Sequence, residues 1–463
     1  ASSYNNKIVY HAGGDLYIFD VKKAESYKLE FQYNSTKDQI KRKFVSASMY
    51  LQSASIDNSN THISIASRGK LFMMGLWSGH VRQLGDKHGV RYQYPVALSC
   101  GKKIAVVSDK GGNERIEIRN MSNGSIFKVI KNDLIGRPYM LLASPNPKII
   151  SVINHRNQII VVDTHKDKVT LVDRSEFHPI SGMDFSKHGR YLAYSCSHNS
   201  KSSVVKIFDF KSNKAYRITT PILHDVCPSF DPSGKYLYCI SARTFNPVYD
   251  GLHFDLNFPK GTKPYLIVLD SKLGSPFLKQ PEPYYPIKTN EKKKNSNKVD
   301  REIDFDGIMD RMIEFPVSEG KYEDIQGGNK GRVFYTTSQI KGSRDPGWYG
   351  FNSMPGDKVL YYYDLETLEQ KKFMSDISDF ELSEDKKTVL VRIGNKLSLY
   401  ATDAPPTQDA LSKSSYSKSS GKIDLSRISV EIDQVSEWRQ MYSEAWRLQR
   451  DYFWVKDKVQ VTM

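Results

Sequence analysis

The sequence predicts an all-β fold, a seven-bladed β-propeller with a short C-terminal helical segment. Three observations carry that prediction. A phrase recurs along the chain: a short strand, a polar turn rich in Asp, Ser, Gly and Lys, then a hydrophobic strand, most clearly at residues 180–194 and 226–238. The residue just before the second strand falls at His62, Lys103, Lys148, Arg190, Lys235, Arg332 and Lys387, and the first four spacings are 41, 45, 42 and 45 residues. Further strand-like runs follow each copy, as at 70–77, 158–163, 204–210 and 358–364. Several strands repeating every 40–45 residues is the period of a propeller blade.

Taken in order, residues 1–43 read as the end of a blade and a connector. Runs at 7–10, 15–20 and 24–29 look like later strands whose beginning is missing. They either complete the last blade by circular closure or end a preceding propeller, and the second is favoured because the last blade already has strands at 388–392 and 396–400. Residues 44–404 form the propeller itself. Its hairpin turns at 186–190 and 231–235 lie between runs of strand formers. Two long spacings are assigned to insertions at 246–264, 281–301 and 342–347. Residues 405–428, with Ser in profusion, read as a flexible linker. Residues 429–463 read as the first helix of a truncated helical domain. Asp433 is its N-cap, and Val435, Trp438, Tyr442, Ala445, Leu448 and Tyr452 recur at three- and four-residue steps. An apolar stripe of that kind needs a partner, so the helix is expected to dock weakly or to self-associate through it.

Composition narrows the function. The formal charge is +15, but residues 37–43 hold +3, 288–301 hold +4 and 409–427 hold +2, so +9 lies in three loop-like segments. A nucleic-acid site concentrates charge on one folded face with stacking aromatics among it, and the distribution argues against one. No run approaches 18 apolar residues, which argues against a spanning helix. Four cysteines (Cys100, Cys196, Cys227, Cys239) without CxxC spacing exclude a disulfide scaffold and a zinc ribbon. The chain opens on Ala1 with no initiator Met and no signal segment, so a start inside a longer reading frame is expected.

No catalytic, cofactor-binding or metal-binding residue is assigned. GxSxG is absent, residues 75–79 having the wrong register, and there is no Walker A or HExxH sequence. His178, His188 and His198 are evenly spaced, but ten residues carry a propeller chain to another strand or loop, so they read as surface or turn histidines. Asp57, Asp184 and Asp231 lie near repeat turns, where Asx hydrogen bonding accounts for them. Tyr191, Tyr194, Tyr236, Tyr238, Phe208 and Phe210 read as packing between blades, and Cys196, Cys227 and Cys239 as buried thiols.

The order of parts resembles the tricorn protease family of self-compartmentalising serine peptidases. The most specific stretch is 437–454 (EWRQMYSEAWRLQRDYFW), similar to the first helix of the mixed domain after that family's second propeller. Residues 224–243 and 258–269 are similar to a blade of that propeller, and 14–20 to the end of the first, six-bladed one. The resemblance implies a peptide-gating propeller of a cytoplasmic enzyme that degrades oligopeptides and assembles as a homo-oligomer. In the family the catalytic histidine and serine lie in later domains, so no catalytic role is carried to any position here and the chain alone is expected to be inactive. No cofactor, nucleic acid or membrane is implied. The alternative from fold alone is a non-catalytic propeller that binds proteins or peptides; a propeller attached to an α/β-hydrolase is disfavoured by the missing GxSxG.

Overall fold

A computed structural model describes residues 1–30, 34, 36–251, 255–257, 260–278, 300–339 and 356–453. Apart from one two-stranded hairpin at 248–257, the described strands from Leu51 to Ile423 fall into consecutive four-stranded antiparallel sheets: sheet 1 (51–84), sheet 2 (92–130), sheet 3 (138–174), sheet 4 (183–217), sheet 5 (225–314), sheet 6 (321–377) and sheet 7 (379–423). Each sheet meanders outward, first strand beside second, second beside third, third beside fourth. The first strands of sheets 1, 2 and 3 pack side by side, as do those of sheets 4, 5 and 6, which places them innermost around an axis.

The turn chemistry explains why the hairpins form where the sequence says. Asp57 Oδ1 accepts from the backbone N–H groups of Thr61 and His62, each at 2.8 Å. In sheets 4 and 7 a serine does the same work: Ser186 Oγ accepts from Tyr191 N at 3.0 Å and Ser383 Oγ from Thr388 N at 3.1 Å. Gly189 closes the first of these serine-capped turns at φ +77°, where an added Cβ would come within 2.5 Å of Ser144 Oγ in the neighbouring sheet; the site takes glycine for both reasons.

The cores lie between sheets. Buried side chains of sheets 1 and 7 share one cluster, with Ile63, Ile65 and Met74 against Leu390, Leu397 and Leu399. Arg392 adds polar closure, donating to Leu51 O at 2.9 Å and Gln52 O at 3.1 Å. The last sheet therefore packs back on the first. The aromatic residues expected between blades are there: Tyr191, Tyr194, Tyr238 and Phe208 are buried, and Tyr236 and Phe210 pack against those clusters. Cys196 and Cys239 are buried and Cys227 half-buried.

Several expectations need correction. The segment at 1–43 is not a partial blade: Ser2–Tyr4 pairs with Lys7–Ala12 and completes a four-stranded sheet over residues 2–28. None of its described residues joins a hydrophobic cluster of the ring. Residues 405–428 are not only a linker. They contain helix α1 (Gln408–Ser412) and the strand Lys422–Ile423, which pairs with Leu397 and Ser398 as the fourth strand of sheet 7. The last blade thus runs past residue 404. Lys43–Ser46 then pairs with Ser429–Ile432, tying the connector before the ring to the segment after it. Asp184 does not serve its own turn; it accepts from Phe230 N at 2.8 Å and Ser229 Oγ at 3.0 Å in the next sheet. Of the insertions, 246–264 contributes the hairpin of Val248–Asp250 and Asp255–Asn257; most of 281–301 and all of 342–347 lie outside the described residues.

Candidate functional site: the axial channel and the helix docked beside it

Polar ties join the innermost strands of successive sheets. Asp184 reaches from sheet 4 to sheet 5, Ser229 Oγ accepts from Gly327 N of sheet 6 at 3.1 Å, and Gln326 Oε1 accepts from Leu382 N of sheet 7 at 2.9 Å. These ties order one arc of the channel, and that arc is acidic. Along Asp379–Leu382 the residues alternate, with Asp379 and Glu381 open and Phe380 and Leu382 buried, as a strand half-buried against its neighbour must. Asp324 faces the same group from sheet 6.

The carboxyl groups are held in a partly dehydrated ring of like charge. Burial first, and the neighbouring Asp379 second, push Asp324 up to about 7. The same two causes push Glu381 to about 7. Glu381 is open to the channel itself, yet the surrounding sheets deprive it of bulk water. Burial likewise raises Asp184 and Asp379. Lys386, in the sheet 7 hairpin, opposes this at both Asp184 and Glu381. The opposite arc is apolar: Tyr94, Val96 and Leu142 are half-buried and Met140 is 36% exposed.

Helix α2 (Gln434–Tyr452) lies against the loops that join second to third strands. Asp433 is its N-cap, accepting from Ser436 N at 2.8 Å. The face it presents to the ring is charged. Glu437 pairs with Arg68 at 3.0 Å, Gln440 donates to Asp109 at 2.9 Å, and Arg447 pairs with Asp109 at 2.6 Å and donates to Gly112 O at 2.7 Å. Glu444 pairs with Arg91 at 2.7 Å, with Arg447 at 2.8 Å and with Arg137. Glu444 and Arg447 are the buried residues of the helix. Burial alone would raise the Glu444 carboxyl; hydrogen bonds from Arg137 and Arg447 overrule it and hold the group below its usual range. Glu114, in the same cluster, is raised by burial, and its Oε2 has no hydrogen-bond partner among the described residues. Toward its C-terminal end the helix places Tyr452 against His155, ring centroids 5.6 Å apart, and in the electrostatic reach of Tyr94 and Tyr139 on innermost strands.

The expected docking face is therefore reversed. Trp438, Tyr442, Leu448 and Tyr452 of the apolar stripe are exposed, Tyr442 at 71%, while the interleaved stripe of residues 437, 440, 444 and 447 is the one that docks. The three histidines are not brought together: His178 stacks edge-on with His224 at 5.2 Å, whereas His188 belongs to the 186–190 turn and His198 to the end of Tyr191–Asn199. Among the described residues no group of three or more His, Cys, Asp or Glu side chains has metal-ligand geometry, and no helix is long and apolar enough to cross a membrane. Sequence reasoning missed the channel carboxylates; the alternation at 379–382 was their one local signal.

Radial four-stranded sheets, a lined axis and a helix held against one face define a β-propeller protein with a docked helical element. Residues 51–403 match the family model of the tricorn protease second beta propeller domain, and residues 434–463 that of the tricorn protease C1 domain. The chain belongs to the tricorn protease family. It is 33% identical over 459 residues to a putative tricorn-like protease C-terminal subunit of Sulfurisphaera tokodaii, covering 99% of this chain and 49% of that protein. It is 31% identical over 461 residues to a tricorn protease homolog of Saccharolobus solfataricus, covering 99% and 40%. A crystal structure of the tricorn protease superposes with a TM-score of 0.77 at 22% identity, over 98% of this chain and 43% of that one, which supports the fold. The chain thus spans about half the length, or less, of these relatives.

Proposed function

We propose that this chain is the seven-bladed propeller portion of a tricorn-type, self-compartmentalising serine peptidase that degrades oligopeptides, and that it gates peptide passage along the axial channel. The observation that carries the reading is the succession of the two family matches, second propeller and then C1 domain, along one chain. The docking of α2 supports it, because Tyr452 at the end of that helix stands beside the innermost-strand tyrosines Tyr94 and Tyr139. Residues 1–43 are assigned to the close of a preceding propeller and its connector, the second propeller to 44–423, and 429–463 to the start of the helical domain. A cytoplasmic site of action and assembly into a homo-oligomer belong to the same proposal, supported by membership of the family. Covalent acyl transfer needs an activated nucleophile beside a base, and no residue here is given that role.

The test has two arms. The purified chain is mixed with fluorogenic oligopeptides and a serine-reactive probe, and separately titrated with labelled oligopeptides. Expected are no turnover, no labelling, and peptide binding that weakens when Met140 on the channel wall becomes Trp. Turnover abolished by a substitution within this chain, or peptide binding indifferent to the channel change, overturns the reading.

A further inference from the structure

Away from the channel, a cleft of about 500 Å3 opens between sheets 2 and 3. It lies on the face opposite α2, where the hairpins between first and second strands emerge. Its apolar wall is the exposed ring of Phe127, backed by Leu98 and Ile118, which are themselves buried. Its rim is cationic: Lys103, Lys128 and Lys148 all line it, and none of its ten lining residues is a carboxylate.

The three lysines are placed differently. The Lys103 ammonium sits over the Phe127 ring, 3.1 Å from its centroid, so aromatic wall and charge are held together. Lys128 crosses from sheet 2 to sheet 3, donating to Thr164 O and pairing with Asp167 at 2.7 Å, and closes one end. The Lys148 side chain is exposed and forms no ion pair among the described residues. One exposed aromatic ring, one cation fixed on it and one exposed cation at the rim suit a guest that is both apolar and anionic.

We propose that this cleft is a binding site for a small anion carried on an apolar body, such as an aromatic carboxylate or sulfonate. The apolar part lies against the Phe127 ring, and the acid group meets Lys103 and Lys148. The site is independent of the channel and of the gating role.

The chain carries its own reporter. Cys100 lines the cleft and is the exposed thiol of the four, Cys196 and Cys239 being buried and Cys227 half-buried. Its thiolate attacks an aromatic disulfide to form a mixed disulfide, and the displaced aryl thiolate leaves with the electron pair. Dithiobis(nitrobenzoate) is an anionic aromatic disulfide and dithiodipyridine a neutral one. A change in the thiol itself alters both rates, so their ratio isolates the anion preference of the cleft. Expected is saturable binding of anilinonaphthalene sulfonate that slows the reaction of Cys100 with dithiodipyridine. Lys148→Glu should weaken that binding about fivefold and lower the anionic-to-neutral rate ratio by a similar factor, the effect of reversing one partly screened charge at contact range. Lys148→Gln, a milder surface change, should give a smaller shift of the same sign. Sulfonate binding that leaves Cys100 unprotected locates the dye elsewhere and overturns the proposal. So does a rate ratio that neither variant changes.

Discussion

The guanidinium of Arg447 on α2 lies 2.6 Å from the carboxylate of Asp109 and 2.8 Å from that of Glu444, with all three side chains buried. The first of these contacts joins residues 338 positions apart, and it makes the docking of α2 an ionic event. A buried ion pair adds little over an apolar contact of the same shape, but removing one partner strands the other. Glu444→Gln is therefore expected to leave Arg91, Arg137 and Arg447 undercompensated and to cost about 3–5 kcal/mol of docking. Hydrogen exchange is the direct measurement. Amides of α2 should lose protection, while those of the sheet interiors keep theirs. Unchanged protection in α2 would show that the helix is held by something other than this cluster.

The channel carboxylates give stability a dependence on pH. Asp324 and Glu381 stand at about 7 in the folded chain, against ordinary values of 3.8 and 4.5. A raised carboxyl pKa means that the folded state holds its proton where the unfolded state has lost it. Stability accordingly falls as pH rises between about 4 and 7 and levels above that. Asp324→Asn with Glu381→Gln removes both titrations, and thermal midpoints measured across this range should fall less steeply than those of the parent chain. A parallel shift with the same slope would mean that the two carboxyls are not the source.

Turn chemistry made much of the ring legible. His62, Lys103 and Arg332 begin the second strands of their sheets, and Lys148, Arg190, Lys235 and Lys387 come one residue before them. A turn is specified by its own Ser, Asp and Gly, so one sequence suffices to find it. The fourth strand of sheet 7 was hidden because Lys422 and Ile423 follow a run of serines and glycine, and two residues carry no periodicity. The docking face of α2 was misread for another reason. Glu437, Gln440, Glu444 and Arg447 look like a solvated stripe until Arg68, Arg91, Asp109 and Arg137 are known to lie opposite, and nothing local encodes partners more than 300 residues away. The acidic arc of the channel needs the closed ring to bring sheets 4, 6 and 7 around one axis.

Closure itself can be tested at Arg392. This side chain crosses from sheet 7 to the carbonyls of Leu51 and Gln52, and also donates to its own turn at Gly394 O at 2.9 Å. Arg392→Ala leaves carbonyls at the seam without their charged donor, at a cost of roughly 1–3 kcal/mol. The thermal midpoint should fall, and sheets 1 and 7 should show the largest gain in exchange. Equal loosening of all sheets would mean that the seam is no weaker than any other junction.

The apolar face of α2 makes the last prediction. Trp438 is 44% exposed, Tyr442 71% and Leu448 40%, on a helix whose other face is already committed to the ring. Burying one such side chain fully gains about 1.5–3 kcal/mol, so a face that carries several is a strong docking element when a surface is offered to it. In the proposed full-length enzyme the domain that α2 begins supplies that surface. Among the described residues these side chains stand open, so a second copy can meet them, and the association draws on residues that do not hold the fold together. Trp438→Gln with Tyr442→Ser and Leu448→Gln should therefore reduce self-association in sedimentation velocity while leaving the thermal midpoint within about 2 °C. The ionic face and the apolar face then separate cleanly: Glu444→Gln loosens the helix without curing association, and the triple substitution cures association without loosening the helix. A triple variant that loses protection in α2 would mean that this face packs against the ring after all.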